Sequence, residues 1–211
     1  MILNLHTILY TIAPMYQWIN KWDEKLFLFF NQSHSSFFDV LMLLSSNLLS
    51  LIPIFLLTAF VAHRYKKKDN YHSTANLFVY LFSLLAVCFV CFEIIPQLFS
   101  LIIHREKPCL NPNISIWVRL LGEDCNTSNG IFAVRPCINF CITSFVLFTV
   151  KQNFTFIKII LVCWSLLVSY SRIYLGAHYP SNVLLADIIG IGLGYIGSRV
   201  YFQLTQNILI V

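Results

Sequence analysis

The sequence predicts an all-α protein: a polytopic membrane bundle of about five transmembrane helices, preceded by an N-terminal interfacial helix. Three observations lead there. The chain is 58% hydrophobic and only 11% charged, where soluble domains carry about 25% charge, and its mean hydropathy is +0.73. Several apolar runs reach the roughly 20 residues that a bilayer crossing needs. The basic residues gather in short loops, Arg64, Lys66, Lys67 and Lys68 in one and Lys151 and Lys158 in another, as cytoplasmic loops do. The net charge of +5 thus reflects membrane topology. No basic face with interleaved aromatics offers itself to nucleic acid.

Residues 1–36 form the interfacial segment of a single domain covering 1–211. Pro14 is expected to break it, and Tyr16 and Trp18 suit a membrane interface. The first residues lack a basic start and a small-residue cleavage site, so no secretory signal is expected. The five spans cover about 38–61, 75–103, 131–150, 154–174 and 183–204, with kinks expected at Pro53 and Pro96. Keeping both basic clusters inside puts the N-terminus and the loops 104–130 and 171–182 outside, and the C-terminus inside.

Polar residues recur at helical spacing within the spans. Glu93, Gln97, Ser100 and His104 share one face, as do Arg135, Asn139 and Thr143, and again Ser165, Ser169 and Arg172. All three stripes climb toward the outer side. They read either as interhelical hydrogen-bonding glue or as the wall of a pocket that opens outward, with Glu93 expected to pair with Arg135. Among the seven cysteines, Cys109 and Cys125 flank the outer loop, where an oxidising compartment favours a disulfide. Cys88, Cys91, Cys137, Cys141 and Cys163 read as small apolar residues. Gly190, Gly194 and Ser198 make a small-residue face in the last span. No metal-ligand set and no cofactor motif is found.

The most specific string is Ser171-Arg172-Ile-Tyr174-Leu-Gly176-Ala-His178-Tyr-Pro180-Ser-Asn182. It resembles the S-R-x5-H-x3-D signature of the type 2 phosphatidic acid phosphatase superfamily, which also includes vanadium haloperoxidases. The resemblance implies a membrane helical fold, Arg172 on a phosphate and His178 as the nucleophile, with Asn182 standing where the family has an acid. The family's first motif, K-x6-R-P, falls on Ser100 through Arg105, Lys107 and Pro108, with Ser100 in place of lysine and Lys107 in place of arginine. Arg105 matches an additional arginine of many members. Asp23 to Asn31, followed by Phe38-Asp39, looks like the N-terminal amphipathic segment of bacterial members. The second motif, which ends in a histidine, falls near Arg135-Pro136-Cys137-Ile138-Asn139. No histidine stands there, or anywhere between His104 and His178.

Each departure bears on chemistry. A histidine nucleophile needs a fixed tautomer, normally set by an acid on its other nitrogen. Asparagine accepts a hydrogen bond but does not stabilise the charged ring, and the equivalent change in a serine-protease triad costs roughly 10⁴ in rate. The absent second-motif histidine would be the general acid, worth about 10²–10⁴. Lysine at 107 gives up the bidentate fork of arginine. The expectation is a membrane protein that holds a lipid phosphate or diphosphate head group at its outer face on Arg105, Lys107, Arg172 and Arg135, with weak or no hydrolysis. An active divergent phosphatase acting through His178, with His104 as surrogate acid, is the second reading. A non-enzymatic carrier or structural subunit is the third. Asp187, about 140° around the helix from Asn182, is a poor replacement for the missing acid. The resemblance also suggests a bacterial inner membrane, with the site toward the periplasm.

Overall fold

The structure, a computed structural model, describes residues 5–66, 73–102, 105–122, 125, 132–150 and 154–208. Among these there is no strand.

Helix α1 (Leu5–Gln32) runs through Pro14 without a break, contrary to expectation. A proline inside a helix removes one rung of hydrogen bonding, which a helix of this length survives. Asp23, Phe27 and Asn31, spaced i, i+4, i+8, are buried on its C-terminal half. They meet the chain on either side of one loop. Asp23 binds the Ser181 amide, the Phe27 ring lies 5.6 Å from that of Tyr179, and Asn31 donates to the Tyr174 carbonyl. The C-terminal half of α1 therefore lies across that end of the bundle, as an interfacial helix would.

Helix α2 (Ser36–Ser46), capped by Ser35, joins α3 (Leu51–Lys66) through a 3-10 turn, and the pair is bent by 60°. The break falls ahead of Pro53, which sits in the first turn of α3, where a missing N–H costs little. Helix α4 (Ser73–Phe89) passes through a π turn, Val90–Ile94, into α5 (Ile95–Ile102). Pro96 follows that turn directly, and the widened backbone absorbs its lost hydrogen bond.

Helix α6 (Val134–Thr149) is the buried centre, with Cys137, Cys141, Ile142 and Phe145 inaccessible. Helices α7 (Thr155–Tyr174) and α8 (Pro180–Ile208) pack around it. A Cβ on Gly190 or Gly194 would come within 2.3 Å of the Cys137 or Cys141 carbonyl oxygen. Those glycines let α8 lie directly on the α6 backbone.

Among the described residues, three helices are long and apolar enough to cross a membrane, Leu77–Leu101, Thr155–Tyr174 and Pro180–Gln206, or four if the bent α2–α3 pair is one span. The remaining expected span is α6. Its 16 residues reach about 24 Å, and its neighbours bury most of them.

Candidate functional site

The site is built where α7 ends and α8 begins. Gly176 has φ +84°. The Ala177 amide bonds the Arg172 carbonyl at 3.0 Å and the Gly176 amide bonds the Ile173 carbonyl at 3.1 Å. This is a Schellman termination, with glycine in the left-handed position it favours. The chain folds back so tightly that the His178 amide also reaches the Arg172 carbonyl, at 3.1 Å. The six-residue spacing of Arg172 and His178 is thus a turn that sets the two side by side, with both buried.

That turn is braced from outside. The Asn31 amide group donates to the Tyr174 and Arg119 carbonyls at 2.9 and 2.8 Å and accepts from the Arg119 amide at 2.8 Å. Arg119 grips Asp39 with both guanidinium nitrogens, at 2.9 and 2.7 Å, and Asp39 also accepts from the Tyr174 hydroxyl at 2.7 Å. The Asp39 carboxylate raises the Arg119 pKa above its ordinary value, which locks the pair in its charged form.

A Cβ on Gly176 would lie 2.6 Å from the Arg119 carbonyl oxygen. Gly176→Ala should therefore destabilise the protein by at least about 1–3 kcal/mol from backbone strain alone. Gly192→Ala, with open space around it, should be neutral or slightly stabilising. Thermal unfolding of the two variants checks this, and equal Tm values would refute it.

Helix α8 starts at Pro180, with the Val183 amide on the Tyr179 carbonyl at 3.1 Å. Its N-terminal cap comes from another helix. Asp23 of α1, 4% exposed, accepts from the Ser181 amide at 2.9 Å and from the Ser181 hydroxyl. Arg105 closes this knot. It pairs with Asp23 at 2.6 Å, donates to Ser181 and Asn182 at 2.8 and 2.9 Å, and lies 4.0 Å from the Tyr179 ring centroid. Expected on a phosphate, Arg105 is held here by Asp23, Ser181 and Asn182. Beside it lies a polar cavity of about 270 Å³, lined by Asn20, Glu24, Arg105, Glu106, Asn111 and Tyr179.

The second gathering point is Ser46, at the end of α2. Arg172 donates to its hydroxyl at 2.7 Å and Arg135, from the first turn of α6, at 3.1 Å. Three helices thus bring two guanidinium groups onto one buried oxygen. Glu93 does not meet Arg135; its hydrogen bond is with Gln97 at 3.4 Å, on an exposed face. The deeper rungs of the other two stripes are glue. Thr143 and Ser165 share a hydrogen bond at 2.8 Å, and Ser169 donates to Asp187 at 2.8 Å. Lys107 is half-buried ahead of a 3-10 turn, Pro108–Leu110. Cys109 and Cys125 are bonded, with Cα atoms 6.2 Å apart. His104 lies outside the described residues.

Asp23, Asn31, Ser46 and Arg119 went unassigned by sequence reasoning. Only the first two left a signal, the i, i+8 spacing of polar residues on an amphipathic helix with Phe27 between them.

A helical membrane fold in which a glycine-terminated helix brings the backbones of an arginine and a histidine together has counterparts among known proteins. The PAP2 superfamily model matches residues 136–206, about a third of the chain. The chain is 24% identical over 189 residues to the lipid A 4'-phosphatase of Bacteroides thetaiotaomicron, covering 89% of this chain and 79% of that protein. Its fold is that of LpxE from Aquifex aeolicus (TM-score 0.59, 19% identity, 83% of this chain and 93% of that one). It is also that of a transmembrane PAP2 type phosphatidylglycerolphosphate phosphatase from Bacillus subtilis (TM-score 0.56, 16% identity, 90% and 87%).

Proposed function

We propose that this integral membrane protein binds the phosphate or diphosphate of a lipid head group on Arg172 and Arg135 beside His178, and hydrolyses it slowly or not at all. The observation that carries the reading is the convergence of two arginines from different helices on Ser46, with the His178 amide bonded to the Arg172 carbonyl. Guanidinium groups so arranged suit the oxygens of a phosphate. Lys107 is a further candidate ligand. Arg105 acts through Asn182 and Ser181, as a positioning residue.

Slow turnover follows from what the site offers. Asn182 gives its side-chain oxygen to Arg105 at 2.9 Å, and an amide cannot take on the charge of an imidazolium as an aspartate does. No second-motif histidine stands in the sequence to protonate a leaving alkoxide. The resemblance to a lipid A 4'-phosphatase supports a phosphorylated glycolipid as the ligand class. The basic clusters at 64–68 and 151–158 support an outward-facing site in a bacterial inner membrane, toward the periplasm.

The same relative favours the second reading, an active phosphatase with His178 as nucleophile. One experiment separates them: release of inorganic phosphate from detergent-solubilised phosphoglycolipid and glycerophospholipid phosphates, with His178→Ala as control. Binding of one of these lipids, with release no faster than in the control, is the expected result. Release that His178→Ala abolishes, at many turnovers per enzyme, would replace the proposal with the active reading.

A further inference from the structure

We propose that the groove between α4 and α8 holds an acyl chain of a membrane lipid, whose ester carbonyl accepts a hydrogen bond from Ser83. This site is separate from the phosphate site. Its α8 lining runs from Leu193 to Leu204, about 20 to 36 Å along the helix from Pro180. It therefore lies in the half of the bundle away from Arg172 and His178.

The groove encloses about 260 Å³ between two segments that cross the membrane. Phe82, Val87, Val90, Leu193 and Val200 line it, and every lining side chain but Ser83 is apolar. Gly197 lets the two helices close beneath it, since a Cβ there would come within 2.5 Å of Val87. From Leu193 to Leu204 is about 16 Å, close to half of a hydrocarbon core of about 30 Å. The slot is one leaflet long.

Ser83 identifies the occupant more closely. It is 4% exposed, it lines the groove, and its hydroxyl has no hydrogen-bond partner. An unmet buried hydroxyl costs about 1–3 kcal/mol. Water would relieve it poorly, because a buried water needs two to four polar partners and the lining provides one. A lipid ester supplies a single acceptor and an apolar chain to fill the rest. Tyr80, one turn earlier, packs on Tyr201 at 5.6 Å, and Val87, one turn later, faces Gly197, so Ser83 sits about midway along the slot, with apolar lining on both sides of it. A second copy of this chain fits less well. Phe82, Ile196 and Val200 are large and exposed, and they hold a neighbouring helix away from Ser83, where helix pairs in membranes need small residues.

The test uses the full chain in lipid nanodiscs, with a diester phosphatidylcholine or its diether analogue carrying a photoreactive acyl or alkyl chain. Cross-links are mapped by mass spectrometry. Labelling should concentrate on Val87, Val200 and Leu204 and favour the ester about fivefold, the worth of one ordinary hydrogen bond. Ser83→Ala should remove the preference while leaving the ether labelling unchanged. Ala86→Phe, at an exposed lining position, should fill the slot and abolish labelling there but not at Leu166, an exposed residue of α7. Labelling of the groove that survives Ala86→Phe would overturn the proposal. So would equal labelling by both lipids in the unaltered protein, or dimer formation through a cysteine placed at Val200.

Discussion

Arg172→Ala should weaken binding of phosphate, or of vanadate as its analogue, by about 10²–10⁴-fold, since two charge-assisted hydrogen bonds of about 1.5–3 kcal/mol each are removed. Arg172 is 4% exposed and reaches Ser46 at 2.7 Å, so its fork is already aimed before any ligand arrives. Lysine at this position restores the charge without the fork, and Arg172→Lys should recover only part of the loss. Lys107→Ala should weaken binding by about threefold, as expected for a half-buried point charge worth under 1 kcal/mol. Isothermal titration of the detergent-solubilised protein reads all three. The opposite pattern is equally clear. If Arg172→Ala lowers Tm while neither it nor the unaltered protein binds the anion, the two arginines are there for packing, and the proposed function fails.

How much of this could be read in the sequence depended on how local each feature is. The helical class and the apolar runs followed from composition and periodicity, because a bilayer enforces both along the chain. Arg172 and His178 were legible because the turn that joins them is local, closed by Gly176. The convergence of Arg135 with Arg172 was visible only as two stripes climbing to the same side, and Ser46, their meeting point, carried no sequence signal. A serine at the end of an apolar helix looks like any other. Glu93 was misassigned because helical spacing says which residues share a face but not what that face meets. The place of Arg105 in a motif suggested a phosphate, but its hold on Asp23, 82 residues earlier, was not legible, because Asp23 lies on a helix no motif describes.

Asp23→Ala should be the most destabilising change near the site, costing about 3 kcal/mol or more. The carboxylate is 4% exposed and its partner Arg105 15%, so removing it strands a cation in a largely dry setting. It also uncaps α8, whose second amide has Asp23 as its acceptor, a loss of about 1 kcal/mol by itself. Asp23→Asn keeps the acceptor and discards the charge, and should fall between. The double variant Asp23→Ala with Arg105→Ala decides whether the two act as a unit, because it removes the stranded charge along with its cause. It should be more stable than the sum of the single losses implies, with a coupling of about 1–3 kcal/mol. Strict additivity, or an Asp23→Ala variant within about 0.5 kcal/mol of the parent, would mean that α1 merely rests on the bundle. The consequence reaches the phosphate site, since Asn182 is held by Arg105 and Arg105 by Asp23. Loosening that chain frees the segment from His178 to Asn182, so anion affinity should fall in Asp23→Ala even though Asp23 is itself an anion and repels the ligand. A repulsion lost and an affinity lowered together are the mark of a positioning residue. An affinity that rose would show that the charge of Asp23, and not its hold on α8, is what the site feels.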